Sequence, residues 1–167
     1  MNELLLDAFR HSAWAKERLV AACGSLSPEE LRRPVAGTYG SILATLNHLV
    51  ITDANYVARL DDGPPAWLDE ETADDLSKLL KLAEETADRW QRFLSEPVDG
   101  ERIVTLDKGA YETHAGVVVV QALHHVSIHG EQVCASLTAL GIQPPDVQPW
   151  ELADQTGRSR WVRPQER

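Results

Sequence analysis

His125 and His129 stand four residues apart in a long segment, Ala115 to Gln143, whose only formal charge is Glu131. That spacing stacks the two imidazoles on one face of a helix, about one turn apart, in line with Val118, Ala122, Gln132 and Ser136. The absence of proline predicts a helix, and the absence of charge predicts that protein surrounds it on most sides. Buried imidazoles need partners, since an unpaired buried polar group costs about 1–3 kcal/mol. Two readings are open at this point. The histidines are hydrogen-bonded residues of a core, or they share a metal ion that satisfies both at once. A third ligand from elsewhere in the chain would decide between them.

His48 is the candidate. It lies in a segment capped by Ser41 and running to about Leu60, on a stripe with Thr45, Thr52 and Asn55. These are short neutral polar residues, which suit the wall of a polar cavity. Asp53 interrupts the adjacent apolar stripe of Ile42, Leu46, Leu49 and Leu60, where it could orient a ligand or pair with an arginine. If the segments carrying His48 and His125/His129 are neighbours, three imidazoles converge. Three protein ligands leave a coordination position open, as catalytic rather than structural sites do. Imidazole suits zinc, nickel, copper or iron and disfavours magnesium and calcium. Such an ion lowers the pKa of bound water toward about 7 and deprotonates a bound thiol. Transfer of a low-molecular-weight thiol and hydrolysis by activated water are the enzymatic readings. The alternatives are a module that binds a metal or small molecule in a stress response without turnover, and a plain bundle whose histidines only hydrogen-bond. Gln132, one turn beyond His129, could hydrogen-bond a ligand or the incoming group. His124 points about 100° from His125 and is expected to pack between helices; His11, without a partner in its own helix, is expected to be polar packing or surface. The chain has no Glu-x-x-His, His-Glu-x-x-His, Gly-x-Ser-x-Gly or phosphate-binding loop.

Four long helical segments must position these residues. The first, Asn2 to Cys23, carries a stripe of small residues (Ala8, Ser12, Ala15, Ala22) among leucines, so either a neighbour packs close or there is room for something else. A short turn capped by Ser27 with Pro28 follows, then a loop from Pro34 to Gly40. After the segment ending at Leu60, Asp61 to Glu71 is a loop. Thr72 is the expected cap of a third helix ending near Ser95, with a buried stripe of Leu76, Leu79, Leu80, Ala83, Ala87, Trp90 and Leu94. Arg102 to His114 reads as a small hairpin or extended excursion. The fourth helix runs from Ala115 to about Leu140, closed by Gly141 and Pro144-Pro145. The result is an all-α domain, most simply a four-helix bundle over residues 1–145. A tail, 146–167, carries Trp150 and Trp161 and is expected to pack on the bundle or on a partner chain.

The 167 residues carry a formal net charge of −10. That opposes nucleic-acid binding, which needs a basic surface. Half of the acidic residues fall between Asp61 and Glu101, as a solvated face. No apolar run reaches membrane-span length, and Met1-Asn2-Glu3 lacks the basic start of a signal peptide. Cys23 and Cys134 have no metal or redox spacing and read as free thiols, which places the protein in a reducing cytoplasm.

Three segments carry a family likeness. Trp14-Ala15-Lys16-Glu17-Arg18-Leu19, the stretch Gly37-Thr38-Tyr39-Gly40-Ser41-Ile42-Leu43-Ala44-Thr45-Leu46-Asn47-His48-Leu49, and His125-Val126-Ser127-Ile128-His129-Gly130-Glu131-Gln132 come in the order and spacing of the DinB/YfiT-like metalloenzyme superfamily, which the chain resembles over nearly its whole length. The resemblance implies a bundle of up-down-down-up connectivity and a homodimer. It implies a divalent metal, zinc, nickel or iron, on His48, His125 and His129. It also implies activity as a transferase or isomerase using bacillithiol, mycothiol or glutathione on a small-molecule substrate. Where the family stretch has Arg-Gly after its second histidine, this chain has Gly130-Glu131.

Overall fold

A computed structural model describes residues 3–66, 75–106 and 109–162. Its long helices are α1 (Glu3–Ala22), α3 (Ile42–Leu60), α4 (Leu76–Ser95) and α5 (Ala115–Ala139). The short helices are α2 (Pro28–Arg32) and α6 (Pro149–Gln155), and a single hairpin pairs β1 (Ile103–Leu106) with β2 (Tyr111–His114). The domain is therefore all-α, with the small extended excursion where the sequence placed it.

Local chemistry sets the helix ends. Ser27 and Glu30 form a reciprocal capping box at α2, with Pro28 at its first position. The Ser41 hydroxyl accepts from the Ala44 amide at the start of α3. Thr72, the expected cap of the third long helix, lies outside the described residues; α4 starts at Leu76, where the Asp75 carboxylate accepts from the Ser77 and Lys78 amides. At the end of α5, Gly141 adopts φ 76°. That conformation lets Ile142 N–H reach the Leu137 carbonyl and Gly141 N–H the Thr138 carbonyl, satisfying two carbonyls of the last turn.

Two apolar clusters fill the bundle and fix its topology. One joins Leu19, Val20 and Cys23 of the α1 end to Ile42–Val50 of early α3, Leu79 and Ala83 of early α4, and Val133 and Leu137 of late α5. The other joins Leu6 and Phe9 to Val57 and Leu60, Trp90 and Leu94, and Ala115–Ala122. So α1 and α5 run one way while α3 and α4 run the other: up-down-down-up. Parallel α3 and α4 require a long return connection. Its start is pinned beside α3 by Asn55, whose side chain exchanges both amide bonds with Ala66 (3.2 and 3.0 Å). The Arg89 guanidinium holds Asp61 at 2.6 and 2.7 Å.

α5 is less enclosed than its lack of charge predicted. Val117, Val120 and Ile128 are 54%, 67% and 42% exposed, and His124, expected between helices, faces outward. Neutral residues such as Gln121 and Ser127 do the work of a solvated face here, which charge patterning cannot register. The tail returns along α1: His11 Nε2–H donates to the Val147 carbonyl (2.8 Å), and Arg158 bonds Asp7 (2.7 Å). Trp150 and Trp161, expected to dock, are 75% and 72% exposed on this chain.

Candidate metal centre

α3 and α5 are antiparallel neighbours, and this packing brings the three histidines together. One ring nitrogen from each of His48, His125 and His129 lies within 4.8 Å of the other two. The Nε2 atoms of His48 and His125 are 3.0 Å apart, and the ring centroids of His125 and His129 4.4 Å apart. His125 is buried, while His48 and His129 are half-buried toward the surface.

Neighbouring polar groups orient the rings. Gln132 Oε1 can only accept, so at 2.8 Å it fixes the proton of His129 on Nδ1 and leaves Nε2 as a lone-pair donor. Gln132 was expected to hydrogen-bond a ligand or the incoming group; its described partner is His129. His48 Nδ1 faces the Thr52 hydroxyl at 3.4 Å, one turn along α3. His125 Nδ1 is buried without a hydrogen-bond partner among the described residues. Burial, then the neighbouring His129 and His48, then Lys16 and His124, hold the His125 imidazole neutral, its pKa pushed down to about 4. Burial, followed by His129, lowers His48 in the same direction. A ring nitrogen from each of the three imidazoles thus converges on one point, and no carboxylate is needed to complete the set. Imidazole ligation at about 2.0–2.1 Å in a tetrahedral site needs nitrogens roughly 3.3 Å apart, within reach of small ring rotations. The residues fit a metal ion.

Aromatic rings frame the cluster. Tyr39 lies flat on His48 (centroids 4.0 Å, 13° between planes) and edge-on to His129 (5.4 Å). The loop delivering it is closed by the Val35 amide on the Gly40 carbonyl (2.8 Å), with Gly37 and Gly40 at φ 82° and 112°. Tyr56 meets His125 edge-on at 5.7 Å. Neither tyrosine stood out in the sequence; Tyr56 lies just over two turns beyond His48, about 80° around α3 from it.

Asp53 has a different setting. Its carboxylate is buried, pairs with the buried Lys16 ammonium of α1, and accepts from Trp90 Nε1 of α4 at 3.0 Å. It was expected to orient a ligand or to meet an arginine. Its described partners are a lysine and a tryptophan, because α1 and α4 close over that side of α3.

The domain is an all-helical bundle holding three convergent imidazoles between its second and fourth long helices. The sequence model described as DinB family matches residues 1–162, and the chain belongs to that family. No individual curated protein matches the chain. Among the described residues no helix is long and apolar enough to cross a membrane.

Proposed function

We propose that this DinB-family protein is a metal-dependent enzyme that transfers a low-molecular-weight thiol to a small electrophile, with a divalent zinc, nickel or iron ion held by His48, His125 and His129. The observation that carries the reading is the convergence of three imidazoles with ring nitrogens within 4.8 Å of one another, one of them with its Nδ1–H directed away from the centre onto Gln132. Bound there, a divalent ion uncompensated by any carboxylate would favour the deprotonated form of a thiol or of water. In the transfer itself the thiol sulfur bonds the electrophilic carbon, the leaving group departs with its electron pair, and the thiol proton passes to solvent. Tyr39 and Tyr56 would supply apolar surface to the reacting groups, and Gln132 and Thr52 would keep the rings oriented. Hydrolysis is the variant of the same centre with water in the place of the thiol. A binding module without turnover is the reading that remains if the metal is held and nothing reacts.

The expected setting is the cytoplasm, consistent with two cysteines left free. The expected assembly is a homodimer, supported by the exposed apolar residues Val117, Val120 and Ile128 of α5 on an otherwise acidic chain; light scattering would give a single-chain mass if that is wrong.

The test is elemental analysis of untagged protein, followed by an assay with bacillithiol, mycothiol or glutathione and 1-chloro-2,4-dinitrobenzene. Stoichiometric metal that disappears in His48→Ala and His125→Ala is expected, with a thiol-conjugation rate above that of His129→Ala. Metal retained in both variants removes the histidine site. Metal bound but a rate equal to His129→Ala removes the transferase reading and leaves the binding module.

A further inference from the structure

The stripe of small residues on α1 has a counterpart on α5, and the two do not close on each other. Ala8, Ser12 and Ala15 of α1 face Ser127 and Gly130 of α5 across a cleft of ≈ 590 Å³, roofed by the segment from Val147 to Pro149. At one end the helices touch: a Cβ on Gly130 would stand 3.3 Å from Leu19 Cδ1, which explains why a residue without a side chain sits there. Beyond that contact, alanine and serine leave a space that leucines would have filled. Its size is that of a small-molecule site. None of the three histidines lines it, because Val126 and Gly130 lie about 100° around α5 from His125 and His129.

A second observation points to a ligand. Ser12 lines this cleft and is 6% exposed, yet its hydroxyl makes no hydrogen bond among the described residues. A helical serine can satisfy itself on the preceding turn, as Ser127 does on the Leu123 carbonyl (3.0 Å) and Ser136 on that of Gln132 (2.9 Å). Ser12 instead offers a donor and an acceptor inside an apolar cavity. The rim sets the charge of what enters. Asp7 is engaged by Arg158 and Arg10, so it offers little to a cation, while Glu131 stands at the opening and repels an anion. His11 is tied to the roof through Val147.

We propose that the cleft between α1, α5 and Val147–Pro149 is a second binding site, separate from the histidine centre, for a small uncharged molecule with an apolar body and one hydrogen-bonding group that pairs with Ser12.

The test uses the full chain and 1-aminoanthracene, a neutral tricyclic fluorophore with one amine. Saturable binding at one probe per chain, with enhanced and blue-shifted emission, is expected. Ser12→Ala should weaken it roughly two- to tenfold, the worth of one neutral hydrogen bond. Ala8→Phe and Ser127→Trp, both on walls that are not fully buried, should weaken it more than tenfold while circular dichroism melting stays cooperative. His48→Ala should leave it unchanged, so failure of the metal reading and failure of this one are separable. Should the wall variants not fold, methyl chemical shifts of the parent protein decide: perturbation at Ala15, Val126 and Val147 supports the site. No saturable binding, binding indifferent to both folded wall variants, shifts confined to the surroundings of His129, or affinity that falls as a second copy associates would each overturn it.

Discussion

Among the described residues a polar cluster lies on each side of α3, and the two are finished to different degrees. Lys16, Asp53 and Trp90 tie α1, α3 and α4 together, with one carboxylate oxygen on the ammonium and the other on the indole N–H. The histidine cluster between α3 and α5 is unfinished. Two Nε2 atoms face each other at 3.0 Å, where at most one can donate, and His125 Nδ1 has no partner among the described residues. A buried charge pair with every atom answered is a structural joint. Imidazole nitrogens left facing one another are a place prepared for something else. The two differ in burial, since Lys16, Asp53 and Trp90 are all enclosed while only His125 of the three histidines is, and they differ again in the completeness of their hydrogen bonding.

The sharpest way to break this comparison is to leave the finished cluster half made. Asp53→Ala strands the Lys16 ammonium in the core and should cost about 3–5 kcal/mol, read as a fall in the denaturation midpoint of the metal-free protein. The replacement of both partners, Lys16→Met with Asp53→Leu, should recover most of that loss, because the penalty belongs to the unpaired charge. A single Asp53→Ala variant as stable as the parent would show that water reaches the pair and that the joint is not closed. His129→Ala in the metal-free protein should by contrast barely move the midpoint.

The unfinished cluster should respond to metal instead. Free zinc at about a hundred times its dissociation constant should add about 2.7 kcal/mol of stability to the parent and nothing to His129→Ala. Equal stabilisation of both would place the zinc elsewhere. A smaller effect sharpens the role of the partner that fixes the ring: Gln132→Ala should weaken metal binding roughly 10–100-fold without abolishing it. Calorimetric titration of an unchanged affinity would make the 2.8 Å contact incidental.

The asymmetry between the clusters also marks how far the sequence could be read. The histidine spacing was legible because i, i+4 on an uncharged helix is a local pattern, and His48 followed from elimination and family likeness. Helix caps at Ser27 and Ser41 are equally local. Lys16–Asp53–Trp90 was not legible as a unit: its members lie on three helices, and each alone reads as a surface lysine, an odd acid on an apolar stripe and a core aromatic. Tyr39 escaped for a similar reason, since only the turn through Gly37 and Gly40 lays its ring on His48. The cleft beside Ser12 was half visible. Small residues announced either close packing or space, and only the tertiary position of α5 shows that both occur along the same stripe.

Acid offers the mildest probe. His125 is held neutral in the folded chain down to about pH 4 by burial and by His129, His48, Lys16 and His124, whereas an unfolded histidine takes up its proton near 6.5. Between those values the unfolded state binds more protons, so stability of the metal-free protein should fall as pH drops from about 6.5 to about 4. The loss should be on the order of 1–2 kcal/mol, below the full 1.36 kcal/mol per pKa unit because water reaches the mouth of the site. His125→Gln should remove this slope. Saturating metal should shift the loss to lower pH, since a ligated imidazole must release its ion before it can protonate. Denaturant midpoints at pH 7.0, 5.5 and 4.5, taken with and without zinc, separate these terms; a slope unchanged in His125→Gln would assign the acid sensitivity to other groups and remove the histidine cluster from it.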